Sequence, residues 1–156
     1  MEEARPATVD DLDRLAELAE EARRELLPLR GGGVFLEREA RHGSLHDTFA
    51  AELGNASTAV WCGTIDGVVI AYCVTKAEDL DDGRKLGRIT DLFVEVGARE
   101  VGVGERLMAE ALAWCSTRGC FGIDAYALPG ARQTKNFFET AGFTARLLVV
   151  HHRLDR

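Results

Sequence analysis

One stretch of this chain, residues 89–108, combines three features whose order restricts the fold. It begins with an apolar run at residues 89–94, continues through a glycine-bearing turn at residues 99–104, and enters a helix-favouring segment at Glu105. Such a turn brings unpaired backbone N–H groups and the positive end of the helix dipole to one point. The stretch therefore predicts a phosphate-binding turn. The alternative is an ordinary strand-to-helix turn that uses glycine only for its backbone angles.

The residues around the glycines exclude two common nucleotide-binding turns. A P-loop requires Gly-Lys-Ser or Gly-Lys-Thr, whereas this turn continues with Glu105 and Arg106. A Rossmann turn requires three glycines near the start of a parallel sheet, whereas only Gly102 and Gly104 occur here, late in the chain. The turn is thus expected to hold a phosphorylated cofactor of another kind.

Two helices are predicted before the central strands. Thr8 is an N-cap candidate, and apolar residues at helical spacing extend the first helix to about Leu27, before Pro28 stops it. The three glycines at residues 31–33 indicate a segment that is mobile or lies close against something. A second helix is predicted over residues 44–53.

Runs of β-branched and apolar residues predict six strands. The dipeptide Asp66-Gly67 separates two of these runs and is a strong hairpin signal. Further helices are predicted over residues 103–118 and 131–140. The predicted order is β, α, α, β, β, β, α, β, α, β. The strands are expected at residues 4–7, 60–65, 68–76, 88–96, 123–128 and 143–150.

Composition favours one ordinary globular domain over residues 1–156. The 156 residues are enough to bury a core, and the net charge of −7 disfavours nucleic acid as a partner. The four cysteines form no Cys-x-x-Cys pair with histidines nearby, so no metal site is expected. No apolar run is long enough to span a membrane, and the first residues do not form a signal peptide. A reducing, cytoplasmic location is expected.

Two motifs in this chain resemble those of the GCN5-related N-acetyltransferases. The Arg-x-x-Gly-x-Gly turn beginning at Arg99 is similar to the acyl-CoA pyrophosphate loop of that family, and residues 89–94 look like its cofactor-side strand. Residues 136–143, Asn-Phe-Phe-Glu-Thr-Ala-Gly-Phe, resemble its later helix-to-strand motif. The resemblance covers nearly the whole chain. It implies a mixed α/β sheet with the acyl-CoA N-acyltransferase fold, and acetyl-CoA as co-substrate without a metal.

The resemblance also implies which residues hold acetyl-CoA. Backbone N–H groups of the turn would cradle the pyrophosphate, and backbone groups on the preceding strand would pair with the pantetheine arm as an added strand. Glu100 and Val101 stand where many relatives have glycine or lysine. The expected cofactor-binding residues are Val94, Val96, Arg99, Glu100, Val101, Gly102, Val103, Gly104 and Phe137.

Three residues are candidates for the proton transfers of acetylation. Asp91 and Glu95 lie four residues apart on one strand, so both should emerge on the same face and receive the amine proton directly or through water. Asp91 is alternatively a solvated carboxylate or one paired with Arg88. Phe138 occupies the family's usual tyrosine position, so Tyr126 is the substitute donor for the thiolate. Tyr126 is alternatively a packed core residue, and a thiolate can also leave without an acid.

The expected reaction is direct attack of a primary amine on the thioester. The acceptor is a small amine, an amino-acid-like molecule or a peptide amine. Phe138, Thr90 and Ala131 depart from the family's catalytic usage, which leaves open a non-catalytic acyl-CoA-binding or regulatory domain. The apolar residues 147–150 would pair across a homodimer interface or be buried within one subunit.

Overall fold

A five-stranded sheet runs through the computed structural model, which describes residues 1–155. The strand order is β1-β2-β3-β4-β5. Neighbours among the first four strands are antiparallel, and β5 is parallel to β4. The strands are β1 (Glu2–Pro6), β2 (Thr58–Ile65), β3 (Val68–Asp79), β4 (Lys85–Val94) and β5 (Cys120–Ala125).

Helices cover both faces of this sheet. One buried cluster joins the first and third helices to one face, and a second cluster joins the last two helices to the other. The fold is therefore the mixed α/β sheet that the sequence predicts. The helices are α1 (Leu12–Leu26), α2 (Gly32–Arg38), α3 (Leu45–Leu53), α4 (Val103–Thr117) and α5 (Arg132–Thr140), with 3-10 turns at Val9–Asp11 and Val96–Ala98.

Local signals set the start of α1 and the β2–β3 hairpin. The Thr8 hydroxyl accepts a hydrogen bond from the Asp10 N–H, and the Asp11 carboxylate accepts one from the Thr8 N–H. This reciprocal capping satisfies N–H groups that would otherwise have no partner. In the hairpin, Asp66 and Gly67 both have positive φ angles, 49° and 84°. Two such residues match the twist of the flanking strands, so the predicted turn is confirmed.

The glycine segment forms helix α2, which the sequence did not predict. A Cβ atom at Gly32 would overlap the carbonyl oxygen of Leu26, so α2 begins in close contact with the end of α1. Leu36 is buried on the opposite end of the same short helix. The alternative of a close approach, rather than mobility, therefore describes Gly32.

The predicted last strand at residues 143–150 is wrong. After α5, the chain has no helix or strand through residue 155. The apolar side chains of Leu147, Leu148, Val149 and Val150 are 70–91% exposed. These residues have the composition of a strand, but no neighbouring strand supplies hydrogen bonds to them in this chain.

Strands β4 and β5 pair over only part of their length, and this creates an opening in the sheet. The pairing begins at Lys85↔Cys120 and ends at Ile89↔Ala125. Residues 90–94 of β4 continue without a β5 partner. Opposite them on β3, the register shifts between Val74 and Thr75, so Thr90 has no directly opposed residue. One backbone edge of β4 is therefore free where the two strands separate.

Candidate functional site

A cleft of about 860 Å³ occupies the space where β4 and β5 separate. Residues 89–94 of β4 form one wall, and residues 126–128 with the first turns of α5 form the opposite wall. The turn before α4 closes one end, and residues of α1 and α2 cover the other side. Most of the predicted site residues line this cleft. They are Asp91, Val94, Arg99, Glu100, Gly102, Val103, Gly104, Tyr126 and Phe137.

The turn before α4 presents backbone donors to the cleft. Glu100 and Gly102 have φ angles of 70° and 94°, and Gly102 caps the helix without a side-chain hydrogen bond. The first intrahelical bond runs from the Arg106 N–H to the Gly102 carbonyl at 3.2 Å, so the preceding N–H groups have no helical acceptor. A Cβ atom at Gly104 would lie 3.5 Å from the ring of Phe137, which is an ordinary van der Waals distance. These groups can hold an anion.

Arg99 anchors this turn instead of standing free. Its Nε donates to the Val94 carbonyl at 2.8 Å, and its Nη2 donates to Glu25 at 2.7 Å. Its guanidinium also lies 5.5 Å from the ring centroid of Phe93. The side chain thereby ties the turn to the end of β4 and to α1.

Three predicted cofactor-binding positions lie in different surroundings. Val96 lies in the 3-10 turn after β4. Both Val96 and Val101 are exposed, and neither lines the cleft. Phe137 packs beside Gly104 and Val94 on the cleft wall. Its neighbour Phe138 is buried in the core on the α4 side of the sheet.

Asp91 is bound by an arginine that the sequence motifs did not reveal. Arg41, between α2 and α3, donates through Nη2 to Asp91 Oδ1 at 2.8 Å and through Nε to Oδ2 at 3.1 Å. The hydroxyls of Thr90 and Tyr72 also donate to Asp91, at 2.7 and 3.2 Å. The paired alternative therefore describes Asp91, but its partner is Arg41 and not Arg88.

Arg41 connects Asp91 to a second carboxylate. Its Nη1 donates to Glu52 at 2.6 Å, and its guanidinium lies 4.0 Å from the ring centroid of Phe49. Burial alone would lower the pKa of Arg41, but the charges of Asp91 and Glu52 outweigh it and raise that pKa above its usual value. No sequence signal marked Arg41, because it lies in a loop far from its partners along the chain.

Glu95 is also paired with an arginine. Arg14 Nη2 donates to Glu95 Oε1 at 2.6 Å, and the Glu95 N–H donates to the Ile70 carbonyl at 2.9 Å. Because Arg14 belongs to α1 and Asp91 contacts Tyr72 in the α1–α3 cluster, both carboxylates lie on the same side of the sheet. Strand β4 ends at Val94, however, so Glu95 follows the strand that was predicted to hold both residues. Glu95 lies beyond the end of the cleft wall.

Tyr126 stands at the mouth of the cleft directly after β5. Its side chain is 43% exposed, and its ring meets that of Phe35 edge-on at 6.0 Å. The guanidinium of Arg88 approaches its hydroxyl at 3.5 Å. Tyr126 is therefore accessible from the cleft rather than packed in the core.

Residues 1–155 contain neither a cluster of metal-ligating side chains nor a membrane-spanning helix. Within that range, no group of three or more His, Cys, Asp or Glu side chains is arranged to hold a metal ion. None of the helices in the same range is both long and apolar enough to cross a membrane.

Comparison with known proteins gives a family match. Residues 14–143 match the family model described as the acetyltransferase (GNAT) family. No curated protein matches the chain significantly.

Solved structures share this fold at low sequence identity. A tetramutant of the BH1408 protein from Bacillus halodurans superposes with a TM-score of 0.83 and 19% identity, covering 97% of this chain and 99% of that chain. A ribosomal-protein-alanine N-acetyltransferase from Brucella melitensis biovar Abortus 2308 gives 0.74 and 12%, covering 99% of each. AAC(6')-Iy, in complex with the bisubstrate analog CoA-S-monomethyl-acetylneamine, gives 0.75 and 18%, covering 100% and 99%.

Proposed function

Because the chain belongs to the GNAT family of acetyltransferases, we propose that it transfers an acetyl group from acetyl-CoA to a primary amine. The observation that carries this proposal is the cleft between β4 and β5, which has a free strand edge along one wall and free helix N–H groups at one end. A thioester with a long amide-containing arm and a pyrophosphate requires this combination of donors and acceptors.

The turn before α4 would hold the pyrophosphate. The N–H groups of residues 103–105 point along the helix axis, where the helix dipole favours negative charge. Arg99 holds the turn against the Val94 carbonyl. The free edge of β4 would pair with the amide groups of the pantetheine arm, and one of its N–H groups would polarise the thioester carbonyl.

Proton transfers are assigned to Asp91 and Tyr126 within this proposal. Asp91 is the carboxylate on the β4 wall, but its two oxygens already accept four hydrogen bonds, which fill its acceptor sites. To receive the amine proton through water, Asp91 would have to exchange one of them, such as the 3.2 Å bond from Tyr72, for a bond from that water. Glu95, bound to Arg14, is the second candidate base. Tyr126, with its hydroxyl at the cleft mouth, would donate a proton to the departing thiolate.

Calorimetric titration with acetyl-CoA tests the cofactor site. We expect one-to-one saturable binding by the wild-type protein and a loss of at least tenfold in affinity for Gly104→Asp, which adds a negative charge in the first turn of α4, beside the proposed pyrophosphate site. Gly104→Asn is the matched control, because it adds nearly the same volume without charge. Equal affinity of the aspartate and asparagine variants would contradict the phosphate cradle, and no binding by wild-type protein would contradict the function.

A non-catalytic acyl-CoA-binding domain is the second candidate. The observation favouring it is that Phe138 provides no proton and that Asp91 and Glu95 are each bonded to an arginine. Such a domain would bind acetyl-CoA but release no CoA with any amine. Chromatographic detection of acetylated amines over a broad amine panel separates the two candidates.

The location and assembly of the protein are part of the same proposal. All four cysteines are free thiols, which favours a reducing compartment such as the cytoplasm. The exposed residues 147–150 favour a homodimer in which these segments are covered. Sedimentation of the full chain tests this assembly.

A further inference from the structure

Arg88 on β4 has no counter-ion among the residues that the structure describes. No carboxylate of residues 1–155 lies within 4.0 Å of its guanidinium. Within the same residues, its Nε is buried without a hydrogen-bond partner, and its one side-chain hydrogen bond is the 3.5 Å contact from Nη1 to the Tyr126 hydroxyl. Such a partly buried guanidinium has lost hydrogen bonds to water without gaining a protein acceptor, and this loss raises the free energy of a charged donor.

The charged neighbours of Arg88 are already paired with one another. Its register partner on β3 is Lys76, which lies 3.2 Å from Glu52. Its register partner on β5 is Asp124, whose Oδ1 accepts from Arg146 at 2.8 Å. Among residues 1–155, Arg88 is therefore left without an ion-pair partner beside these two pairs.

The position of Arg88 links this charge to the cleft. Arg88 precedes Ile89, the last β4 residue paired with β5, and Tyr126 follows Ala125, its partner. Arg88 and Tyr126 thus flank the point where the strands separate. Arg88 is not itself among the residues that line the cleft, but its Nη1 lies 3.5 Å from the hydroxyl of Tyr126, which does line it. An anion beside that hydroxyl would therefore also reach the guanidinium.

Asp91, the carboxylate on the β4 wall of the cleft, does not offer a binding site for an acceptor that carries only positive charge. Asp91 is neutralised by Arg41, and the set Lys76, Glu52, Arg41 and Asp91 contains two positive and two negative groups. A polyamine would find no unpaired negative charge within this set of four side chains, whereas an acceptor with its own anionic group would find an unpaired cation at Arg88.

We propose that Arg88 is a specificity-determining residue that binds a carboxylate of the acceptor, so that the preferred acceptors are amino acids and not simple amines. This assignment rests on the proposed acetyl transfer and names its substrate class. The planar guanidinium suits bidentate carboxylate binding. The apolar side chains of Phe35 and Leu128 on the same cleft favour acceptors with apolar side chains.

Paired substrates test the assignment. Acetylation would be measured chromatographically for the common L-amino acids and for their decarboxylated amines, such as L-phenylalanine and phenethylamine. The measured quantity is the quotient of kcat/KM within each pair, compared between wild-type protein and Arg88→Met. Comparing quotients between proteins cancels the different basicities of the two amines. Arg88→Lys retains the charge, and Arg118→Met removes an arginine stacked on Trp114, away from the cleft.

We expect the wild-type protein to favour the amino acid and Arg88→Met to lower the quotient by about 10- to 100-fold, the range for a charged hydrogen-bonded partner. Arg88→Lys should retain part of the preference, and Arg118→Met should retain all of it. Because Arg88 has no carboxylate partner, Arg88→Met should fold with an unchanged or higher Tm. An equal quotient in wild-type and Arg88→Met proteins would overturn the assignment.

A binding measurement separates failure of this assignment from failure of the proposed function. L-Phenylalanine would be titrated calorimetrically into the protein saturated with CoA. Saturable heat that is lost in Arg88→Met supports the carboxylate site even if no amine is acetylated. Absence of heat from wild-type protein, together with acetylation of simple amines, would refute the site and leave the acetyl transfer intact.

Discussion

Removing Arg41 should destabilise the protein by leaving a buried carboxylate without its cation. In Arg41→Met the apolar stem of the side chain is retained, while the bonds to Asp91 and Glu52 are lost. The side chains of Arg41, Glu52 and Asp91 are only 7%, 12% and 17% exposed, so solvent replaces few of these bonds. The expected result is a large loss of stability from a single substitution.

The magnitude follows from which partners remain. Removing one member of a buried ion pair costs about 3–5 kcal/mol. Glu52 keeps Lys76 at 3.2 Å, and Asp91 keeps the hydroxyls of Thr90 and Tyr72. The lower end of the range, about 3 kcal/mol, therefore applies. For a domain of 156 residues this corresponds to a decrease in Tm of about 6–12 °C.

Urea unfolding at pH 7, followed by circular dichroism, measures this loss. The control is Arg84→Met, which removes an arginine paired with Asp82 on the surface, where the side chains are 57% and 51% exposed. That change should cost less than about 1 kcal/mol. The double variant Arg41→Met/Asp91→Asn should regain stability relative to Arg41→Met, because the unpaired charge is gone.

The reasoning is refuted if Arg41→Met costs no more than the Arg84 control. It is also refuted if the double variant is no more stable than Arg41→Met, because the cost would then come from lost packing on Phe49 and not from the unpaired charge.

Three further predictions concern stability. The hydrogen bond from Arg5 lowers the pKa of Asp11 to about 2. Asp11→Asn should therefore lower the free energy of unfolding at pH 7 by about 1–2 kcal/mol, a value discounted because the Arg5 side chain is 43% exposed. The difference in stability between wild-type protein and Asp11→Asn should vanish as the pH falls from 4 to below 2. In Gly87→Ala, the new Cβ would overlap the Cys115 sulfur, so urea unfolding should show a loss of about 1–3 kcal/mol that Cys115→Ala relieves. Truncation after Arg146 should leave the Tm of the monomer unchanged, because the removed apolar side chains are exposed; a decrease above 3 °C would contradict this.

Most elements were predictable because their signals are local. The capping residues Thr8 and Asp11 fix the start of the first helix through bonds within four residues. The Asp66-Gly67 turn fixes a hairpin through its own backbone angles. The glycine-bearing turn before α4 likewise depends on the φ angle of Gly102. These features need no knowledge of distant parts of the chain.

Long-range contacts explain what the sequence did not predict. Helix α2 depends on the close approach of Gly32 to Leu26. From the glycine composition alone, a close approach and a mobile segment were equally good explanations. Residues 147–150 have strand composition, but a strand also requires a partner. Arg41 reaches Asp91 across 50 residues of sequence, and no spacing rule connects them. The β4 wall of the site was therefore predictable, while Arg41, the residue that neutralises the Asp91 carboxylate on it, was not.

The early separation of β4 from β5 also affects how this sheet avoids wrong partners. Free strand edges usually lie at the outside of a sheet, where another chain can add to them and aggregate. Here the unpaired edge at residues 90–94 lies inside the molecule, between two walls of its own cleft. A narrow ligand can reach this edge, whereas the edge of a second folded protein is too bulky to enter. The protein thereby keeps an edge available for hydrogen bonding without exposing it to self-association.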